Sequence, residues 1–416
     1  MAAAYVGHHQ SFSALALAAL GLSATVPTLV AAVFSGTLAD RYDRRWLMKI
    51  VEGVALAATA TLALLLLWKP SSAVGGFGVA HFTIPYWLLL SFPTWAALTA
   101  AVTIFRPTFN SALPRLVETR LLGTANGLLY AFTVGVSSGT SVLSGLLVER
   151  FGPVPAMLVP LILFGASLVC LFALGPSPMV EPRRGRSFLR DALQGYQYLA
   201  VRRELLAVTL GSLAINFLSA LAFVELAQYS AFFLGESPAF LGYLYGAGTL
   251  GAGAGAFLVT RIPFERHLGR MIGGLTIGMG ACVAGFVFTH SPIIALADMF
   301  LFGLFPGMIQ IAFLAGVQAT VPDSILGRVF AADEVGSFSF VPIGQYAGGT
   351  LTYATGIEST YLVAGSGMAL VGIIMFVAPV VARFRFDPTE NARPPSSSAR
   401  EGEPSSSPTP AGEVLR

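Results

Sequence analysis

The sequence predicts an all-α polytopic membrane protein, and three observations support that prediction. Hydrophobic residues make up 55% of the chain and charged residues only 11%, whereas a soluble domain is about 25% charged. Long apolar runs are separated by short segments that contain Gly, Pro and charged residues. The runs lack the period-two alternation of β-barrel strands, so we interpret them as helices, the other structure that satisfies its backbone hydrogen bonds in lipid.

Eleven apolar runs are predicted as membrane spans, because a spanning helix needs about 20 mostly apolar residues. The 416 residues of the chain are then used mainly for the membrane bundle, and no large soluble domain is expected. The predicted spans are 12–38, 47–68, 84–105, 121–147, 154–175, 204–233, 239–260, 271–289, 292–316, 329–355 and 360–382.

Lysine and arginine divide the connections between these spans into two unequal sets. Of the 24 Lys and Arg residues, only Lys69 and Arg150 fall on one side of the predicted membrane. Basic loops tend to remain on the cytoplasmic side. The sequence therefore predicts a multi-pass protein of the cell (plasma or inner) membrane whose basic loops and C-terminus face the cytoplasm.

The most specific motif is GTLADRYDRR at residues 36–45, between the first two predicted spans. An acid at the mouth of a membrane helix is costly unless it is paired, so we expect this cluster of one acid and several bases to have a role. It resembles the signature G-x-L-A-D-R-x-G-R-R between the second and third helices of major facilitator superfamily transporters, with Asp43 in place of the second glycine. The resemblance implies a gating motif formed by Gly36, Asp40, Arg41, Arg44 and Arg45.

Two further stretches resemble the drug:proton antiporter branch of that superfamily, which contains macrolide-efflux and enterobactin-exporter-like proteins. They are FRPTFNSALPRLV at 105–117 and VPDSILGRVFAADE at 321–334. The resemblance implies two pseudo-symmetric helical bundles and export of a small amphipathic compound by alternating access, coupled to protons. Exporters of the family often carry G-P-x-x-G-G in helix five, but residues 140–145 are TSVLSG. An importer or facilitator of the same fold therefore remains an alternative, as does a non-transporting membrane sensor or scaffold.

An internal repeat supports the two-bundle organisation. VETRLLG at 117–123 aligns without gaps onto VPDSILG at 321–327, and parallel repeats of this kind are how the halves of this superfamily are related. Apolar residues recur at helical spacing between Phe188 and Leu199, which predicts an amphipathic helix on the membrane surface. The predicted organisation is an incomplete N-terminal bundle (1–175), a linker that contains this helix (176–203), a C-terminal bundle (204–386) and a disordered cytoplasmic tail (387–416).

The number of spans before the signature loop differs from the family pattern. The family has two helices before this loop, whereas one span is predicted here, so helix one is expected to be largely missing from a twelve-span protein. A misassigned start codon is the preferred interpretation, and a genuine eleven-span protein is the alternative.

Two acids inside predicted spans are candidates for proton coupling. Glu225 and Asp298 both fall in the half of the membrane opposite the basic loops. A lone carboxylate in lipid costs about 2.5–3.5 kcal/mol on insertion scales, so each should face an aqueous cavity or a partner. Removal from water favours the neutral carboxyl, which suits a group that takes up and releases protons. The alternatives are an acid satisfied by a neighbouring hydroxyl group, or an acid exposed nearer the outer surface than this placement.

Helical spacing adds cavity-lining candidates to these acids. Gln228 shares the predicted face of Glu225, and Phe302 and Phe305 share that of Asp298. Phenylalanine suits an apolar or amphipathic cargo, although packing is the more common role. Asp333 and Glu334 are expected in the first turn of span 329–355, where the helix dipole favours acids.

Several classes of function are excluded by what the sequence lacks. No nucleophile–base pair, phosphate-binding loop or metal-ligand spacing is visible, so we expect neither an enzyme nor a cofactor or metal site. The net charge of +3 gives no indication of nucleic-acid binding. Cys170 and Cys282 both fall in apolar runs, so no disulfide framework is expected. The expected partners are a small-molecule substrate, protons and the lipid bilayer, with the chain acting as a monomer.

The signature loop generates a first prediction. In the family its Asp lies near the start of helix eleven, here around Gly327–Val329, whose dipole would favour a carboxylate by about 0.3–1 kcal/mol. So modest a contact can break during a transport cycle. We expect Asp40→Asn to leave membrane insertion intact and to abolish transport, measured as flux into vesicles with matched protein content. Undiminished flux in the variant would contradict a latch.

Overall fold

The computed structural model describes residues 23–32, 35, 38, 42–68, 76–79, 82–116, 122–173, 188–262 and 267–384. It places a helix in each predicted span, which confirms the all-α fold class. The helices are α1 Ser23–Ala32, α2 Arg44–Leu67, α3 Tyr86–Leu116, α4 Leu122–Phe151, α5 Pro153–Ala156, α6 Leu158–Ala173, α7 Phe188–Val201, α8 Arg203–Phe223, α9 Leu226–Gln228, α10 Pro238–Val259, α11 Leu268–Phe288, α12 Pro292–Thr320, α13 Asp323–Phe338, α14 Val341–Thr355, α15 Ile357–Val377 and α16 Pro379–Ala382.

Within the described ranges, seven helical segments are long and apolar enough to cross a membrane. The connections with most arginines, near Arg45, Arg261, Arg328 and Arg383, lie together at one end of the bundle, which we call the arginine-rich end. The arginine-poor end holds the connections that follow α2, α4, the segment after α9, α11 and α14.

The arginine-poor end also carries a small β-hairpin that the sequence does not predict. Strands β1 (Gly76–Val79) and β2 (Phe82–Pro85) pair antiparallel, with Val79 opposite Phe82. Pro85 ends the second strand and Tyr86 begins α3. The apolar part of α3 ends at Phe105, as predicted, but the helix continues to Leu116 because backbone hydrogen bonds, not hydropathy, set where a helix ends.

The predicted span 329–355 is two helices with different bounds. It begins earlier, at Asp323, and is interrupted after Phe338, where Pro342 occupies the first turn of α14 and cannot donate a backbone hydrogen bond. Asp333 therefore lies well inside α13, and its expected place in a first helical turn is wrong. Its carboxylate instead accepts a hydrogen bond from Thr209 of α8, at 2.5 Å.

Helix α10 packs on α12 at very short range because glycines lie on both sides of the contact. A β-carbon at Gly251 would lie 2.0 Å from the Phe300 carbonyl oxygen, and one at Gly303 would lie 2.0 Å from that of Gly248. Helices in lipid associate through such close packing, because the surrounding acyl chains are as apolar as the side chains. We call this contact the α10–α12 seam.

Helices α11 and α15 pack in the same way, with the glycines spaced by seven residues on each helix. A β-carbon at Gly280 would lie 2.5 Å from the Gly365 carbonyl oxygen, and one at Gly372 would lie 2.8 Å from that of Gly273. Two helical turns separate the members of each pair. The contact therefore extends along most of both helices and fixes α15 against α11.

A third seam joins the first group of helices, α1–α6, to the second group, α8–α15. Ser138 of α4 donates a hydrogen bond to the Gly246 carbonyl of α10, at 3.1 Å. Gly145 and Gly242 face each other in the same contact, so the small residues at 140–145 serve close packing although the family's proline is absent. A second link is the hydrogen bond from Thr25 of α1 to Gln345 of α14, at 2.9 Å.

Helix α7 is amphipathic, as predicted, but part of its apolar side packs on protein. Leu199 is buried in the hydrophobic cluster at the arginine-rich end, together with Val329 and Ala332 of α13. Gln194 accepts a hydrogen bond from Arg328. This helix is thereby attached to the second group of helices.

The α10–α12 seam generates a second prediction. Gly303→Ala should lower the free energy of unfolding of the detergent-solubilised protein by about 1–3 kcal/mol, as expected for an overpacked site, and so lower its melting temperature. The reason is that the Gly248 carbonyl oxygen occupies the space that the added methyl group needs. Gly165→Ala in α6 is the matched control, since no atom lies within 4 Å of its β-carbon position. The control should be neutral or stabilising by up to about 1 kcal/mol. Equal melting temperatures for Gly303→Ala and wild type would contradict the packing argument.

Candidate functional site

The signature loop is only partly covered by the structure. Gly36, Asp40 and Arg41 lie outside the described residues, so the latch stays a prediction. Arg44 begins α2, and Arg45 has one buried guanidinium nitrogen, Nη1, with no hydrogen-bond partner among the described residues. Asp43 accepts a hydrogen bond from the Trp46 amide, at 2.9 Å. The residue that replaces the family's glycine is therefore an N-cap for α2, a role that Asp fills well.

The helical segment that carries Glu225 is interrupted at this residue. Helix α8 ends at Phe223, and Glu225 takes φ −97° and ψ 8°, in the sparsely populated region between helix and strand where many active-site residues occur. After α9 the chain forms a π-helical turn, Tyr229–Phe233, another feature frequent at functional sites. No proline or glycine lies between 221 and 234 to explain the break.

The Glu225 side chain is enclosed inside the second group of helices. Its exposed fraction is 0%, and neither carboxylate oxygen has a hydrogen-bond partner in the part of the chain that the structure describes. The neighbours Ala222 and Leu226 are also fully buried and belong to a hydrophobic cluster. Since burying a charge without a partner is far more costly than burying a neutral group, this environment favours the protonated carboxyl.

An aromatic cluster lies in the same hydrophobic core as Ala222 and Leu226, the neighbours of this acid. We define it by Phe223, Tyr229, Phe286, Phe302 and Tyr361. Ring centroids are 5.1 Å apart for Tyr229 and Phe286, 5.3 Å for Tyr229 and Tyr361, and 5.7 Å for Phe286 and Tyr361. The Tyr229 hydroxyl donates to the Phe286 carbonyl, at 3.0 Å. The Tyr361 hydroxyl is buried without a partner among the described residues.

Asp298 and Phe305 face α11. A β-carbon at Gly285 would lie 3.2 Å from the Asp298 carboxylate, and one at Gly278 would lie 2.8 Å from the Phe305 ring. Asp298 is half-buried and is close enough to Tyr229 to interact with it electrostatically. The structure therefore brings Asp298 and Glu225 to the same aromatic cluster, from different helices, while Phe305 fills the space beside a glycine.

The remaining two predicted residues are also inside the bundle. Phe302 packs on Phe223 with ring centroids 4.5 Å apart, and Gln228 is 5% exposed. Packing accounts for Phe302 and Phe305 without a cargo. All five candidates stay predictions as transport residues.

Sequence reasoning missed a buried acid in the first group of helices. Glu52 of α2 is buried and accepts a hydrogen bond from the Ser167 hydroxyl of α6. Its position five residues inside the predicted span 47–68 was the signal that could have identified it, by the same reasoning that singled out Glu225. Because it has a partner, Glu52 fits a structural role better than Glu225 does.

A second missed residue links the two groups of helices. Glu149, at the end of α4, accepts a hydrogen bond from the Ser237 hydroxyl at 2.7 Å and another from the Ala239 amide at 3.3 Å. Ser237 and Ala239 form the start of α10, where the helix dipole favours a carboxylate. Glu149 therefore caps a helix of the other group at the arginine-poor end. No sequence signal connects residues 88 positions apart in this way.

The described residues contain no cluster of three or more His, Cys, Asp or Glu side chains that could hold a metal ion. The arrangement around Glu225 offers an enclosed carboxyl, a free phenol and aromatic walls. Chemically, such a site can bind and release a proton, and its burial excludes larger ions from the carboxyl in this conformation.

Comparison with known proteins shows what the chain is similar to. The family model described as Major Facilitator Superfamily matches residues 1–339. "Uncharacterized MFS-type transporter YfiS" of Bacillus subtilis (strain 168) is 24% identical over 386 residues, 90% of this chain and 87% of that protein. "Multidrug efflux pump Tap" of Mycobacterium tuberculosis (strain ATCC 25618 / H37Rv) is 24% identical over 403 residues, 92% of this chain and 90% of that protein.

Solved structures resemble the chain over nearly its whole length. A D-xylose-proton symporter aligns with a TM-score of 0.67 at 14% identity, covering 92% of each chain. The nucleoside transporter NupG aligns with a TM-score of 0.57 at 13% identity, covering 87% of this chain and 90% of its own. At these identities the likeness establishes the fold and nothing finer.

The Glu149 cap generates a third prediction. In a Cys170→Ser, Cys282→Ser background, a thiol placed by Ala239→Cys should be nearly inaccessible, because Ala239 is 2% exposed. Glu149→Ala removes the cap and should lower the free energy of local opening at the start of α10 by about 1 kcal/mol. The thiol would then be exposed more often, so the rate of maleimide labelling should rise roughly five-fold. Glu149→Gln keeps an acceptor oxygen, so its effect should be smaller.

Glu358→Ala is the control for this experiment. Glu358 is an exposed acid in the first turn of α15, at the same end but away from the seam, so labelling of the thiol should not change. Unchanged labelling in Glu149→Ala would contradict the role of the cap.

Proposed function

The chain belongs to the Major Facilitator Superfamily, and from that premise we propose that it exports a small amphipathic compound by alternating access in exchange for protons. That it is a multi-pass membrane transporter of small molecules, not an enzyme, follows from the family and the relatives. The finer assignment, proton-coupled efflux, is supported by the features below.

The single observation that carries the proposal is the enclosed Glu225 carboxyl. It lies at a helix interruption, is fully buried and has no hydrogen-bond partner among the described residues. Intramembrane acids are costly, and they mark proton or substrate pathways in many transporters. A proton is the one coupling ion that needs no coordination shell, so it suits a carboxyl surrounded by aromatic rings.

Alternating access is supported by the links between the two groups of helices. Besides the close packing of Gly145 on Gly242, the α4–α10 contact has side-chain hydrogen bonds from Ser138 and to Glu149. These hydrogen bonds break at modest cost compared with a hydrophobic core. The α10–α12 and α11–α15 seams lie within one group and need not open. The two groups are therefore able to rock against each other as units.

The direction of transport is proposed from the relatives. The protein named multidrug efflux pump Tap aligns over 92% of this chain, which favours export. The missing proline in residues 140–145 favours the second candidate, an importer of the same fold, and one structural neighbour is a D-xylose-proton symporter. We further propose that the chain acts as a monomer in the cell membrane with its arginine-rich end in the cytoplasm, as its Lys and Arg distribution indicates.

Glu225→Gln generates the fourth prediction. Purified protein in liposomes should move ethidium, used as the probe, against its gradient when a pH difference is imposed. The variant should lose this pH-driven accumulation but retain ethidium exchange without a pH difference, because the amide cannot release a proton. Glu334→Gln, which alters an exposed acid of α13, is the matched control and should behave like wild type.

Three results would count against the proposal or part of it. Full pH-driven accumulation in Glu225→Gln excludes this carboxyl as the coupling group, and loss in Asp298→Asn alone would assign the role to Asp298. In inside-out vesicles with an acidified lumen, accumulation of ethidium indicates antiport, whereas expulsion of ethidium together with protons indicates symport and favours the importer.

A further inference from the structure

Two partnerless polar side chains lie in the core of the second group of helices. Glu225 and Tyr361 are 0% and 1% exposed, and neither the carboxylate oxygens nor the phenol oxygen has a hydrogen-bond partner within the described ranges. They come from separate elements, the interruption after α8 and the start of α15. Buried polar groups are nearly always satisfied, so two unsatisfied groups in one place need an explanation.

Both residues adjoin Tyr229. The Tyr361 ring lies 5.3 Å from that of Tyr229, and the Tyr229 amide donates a hydrogen bond to the Glu225 carbonyl, at 2.9 Å. Tyr361 and Glu225 are also near enough to interact electrostatically. The phenol is held in place because α15 is fixed on α11 by their glycine seam and because its ring packs on Phe286.

Other titratable groups around this site are less suited to partner the acid. The Tyr229 hydroxyl is already bonded to the Phe286 carbonyl, and the side chain of Tyr245, from α10, is 46% exposed. Asp298, from α12, and Cys282, from α11, interact with each other and Asp298 with Tyr229. Among these neighbours, Tyr361 has both the position and an unused hydroxyl.

We propose that the Tyr361 hydroxyl is the hydrogen-bond partner of Glu225 during the proton cycle and sets the pH at which this carboxyl releases its proton. The inference rests on the proposed proton-coupled function. A phenol accepts a hydrogen bond from a protonated carboxyl and donates one to an ionised carboxylate. The carboxyl O–H bond breaks and its proton leaves for the aqueous side, while the phenol keeps its own proton. Because the two groups are not hydrogen-bonded in this conformation, the Glu225 side chain must turn toward the phenol during the cycle for the bond to form. Tyr361 is thus a positioning residue for Glu225.

The test is an infrared titration of the purified protein, which needs no substrate. The Glu225 signal is the protonated-carboxyl band that disappears in Glu225→Gln. Hydrogen bonds to charged groups are the stronger kind, so Tyr361→Phe should destabilise the ionised form and move the midpoint of this band to higher pH by about one to two units. Tyr353→Phe, which removes an exposed hydroxyl from α14, is the control and should leave the midpoint unchanged.

Each outcome bears on a different part of the proposal. An unchanged midpoint in Tyr361→Phe, or an equal shift in Tyr353→Phe, overturns the role of Tyr361 and leaves proton coupling through Glu225 intact. If Glu225→Gln removes no titrating band, the proton role of Glu225 fails, and the role of Tyr361 fails with it.

A second measurement does not depend on the folding of Tyr361→Phe. In wild-type protein, a tyrosine ring band that reports phenol hydrogen bonding should change over the same pH range as the carboxyl band. The change should be absent in Glu225→Gln. A tyrosine band that is independent of Glu225 overturns the inference.

Discussion

The close approach of helices at glycine residues is the constraint on which the rest of this structure depends. Because lipid acyl chains are as apolar as the side chains, moving a side chain from lipid into a helix contact yields little free energy. Helix association therefore relies on close contact between complementary surfaces. Glycines on α10, α11, α12 and α15 let backbone atoms of neighbouring helices meet. These seams fix the helices that carry Phe286 and Tyr361, and so the aromatic cluster around Glu225 depends on them.

The helix interruption at Glu225 lies among these closely packed helices. A helix break exposes backbone groups that lipid cannot satisfy, so within a membrane it is tolerated only where protein surrounds it. Here the surrounding helices are fixed by their glycine contacts, and the unpaired carboxyl is enclosed among Ala222, Leu226 and the aromatic rings. The acid is therefore buried in a part of the fold where close packing between helices fixes the neighbouring backbone.

Much of the fold was predictable from the sequence, because hydropathy and the signature at 36–45 depend on local composition and spacing. Boundaries were less predictable: α3 continues eleven residues past the apolar run that ends at Phe105, since helix length follows backbone hydrogen bonding. The acid Glu225 was predictable as a costly residue inside a span. The position of Tyr361 in the same core as this acid was not predictable, and neither was the Ser237–Glu149 contact, because both depend on tertiary packing between residues 88 or more positions apart.

The two faces of α10 differ in how closely they approach their neighbours. Toward α12, β-carbon positions at Gly251 and Gly255 lie 2.0 Å from backbone carbonyl oxygens. Toward α4, a β-carbon at Gly242 would also meet backbone, the Ser141 carbonyl oxygen at 2.5 Å, but one at Gly246 would first meet a valine methyl group at 3.0 Å. Backbone cannot yield to an added methyl group, but a side chain can turn aside. Substitution during evolution should therefore be tolerated at Gly246 on the α4 face and suppressed at Gly242 and along the α12 face. Changes at Gly246 can then adjust how readily the two groups of helices separate without altering either group.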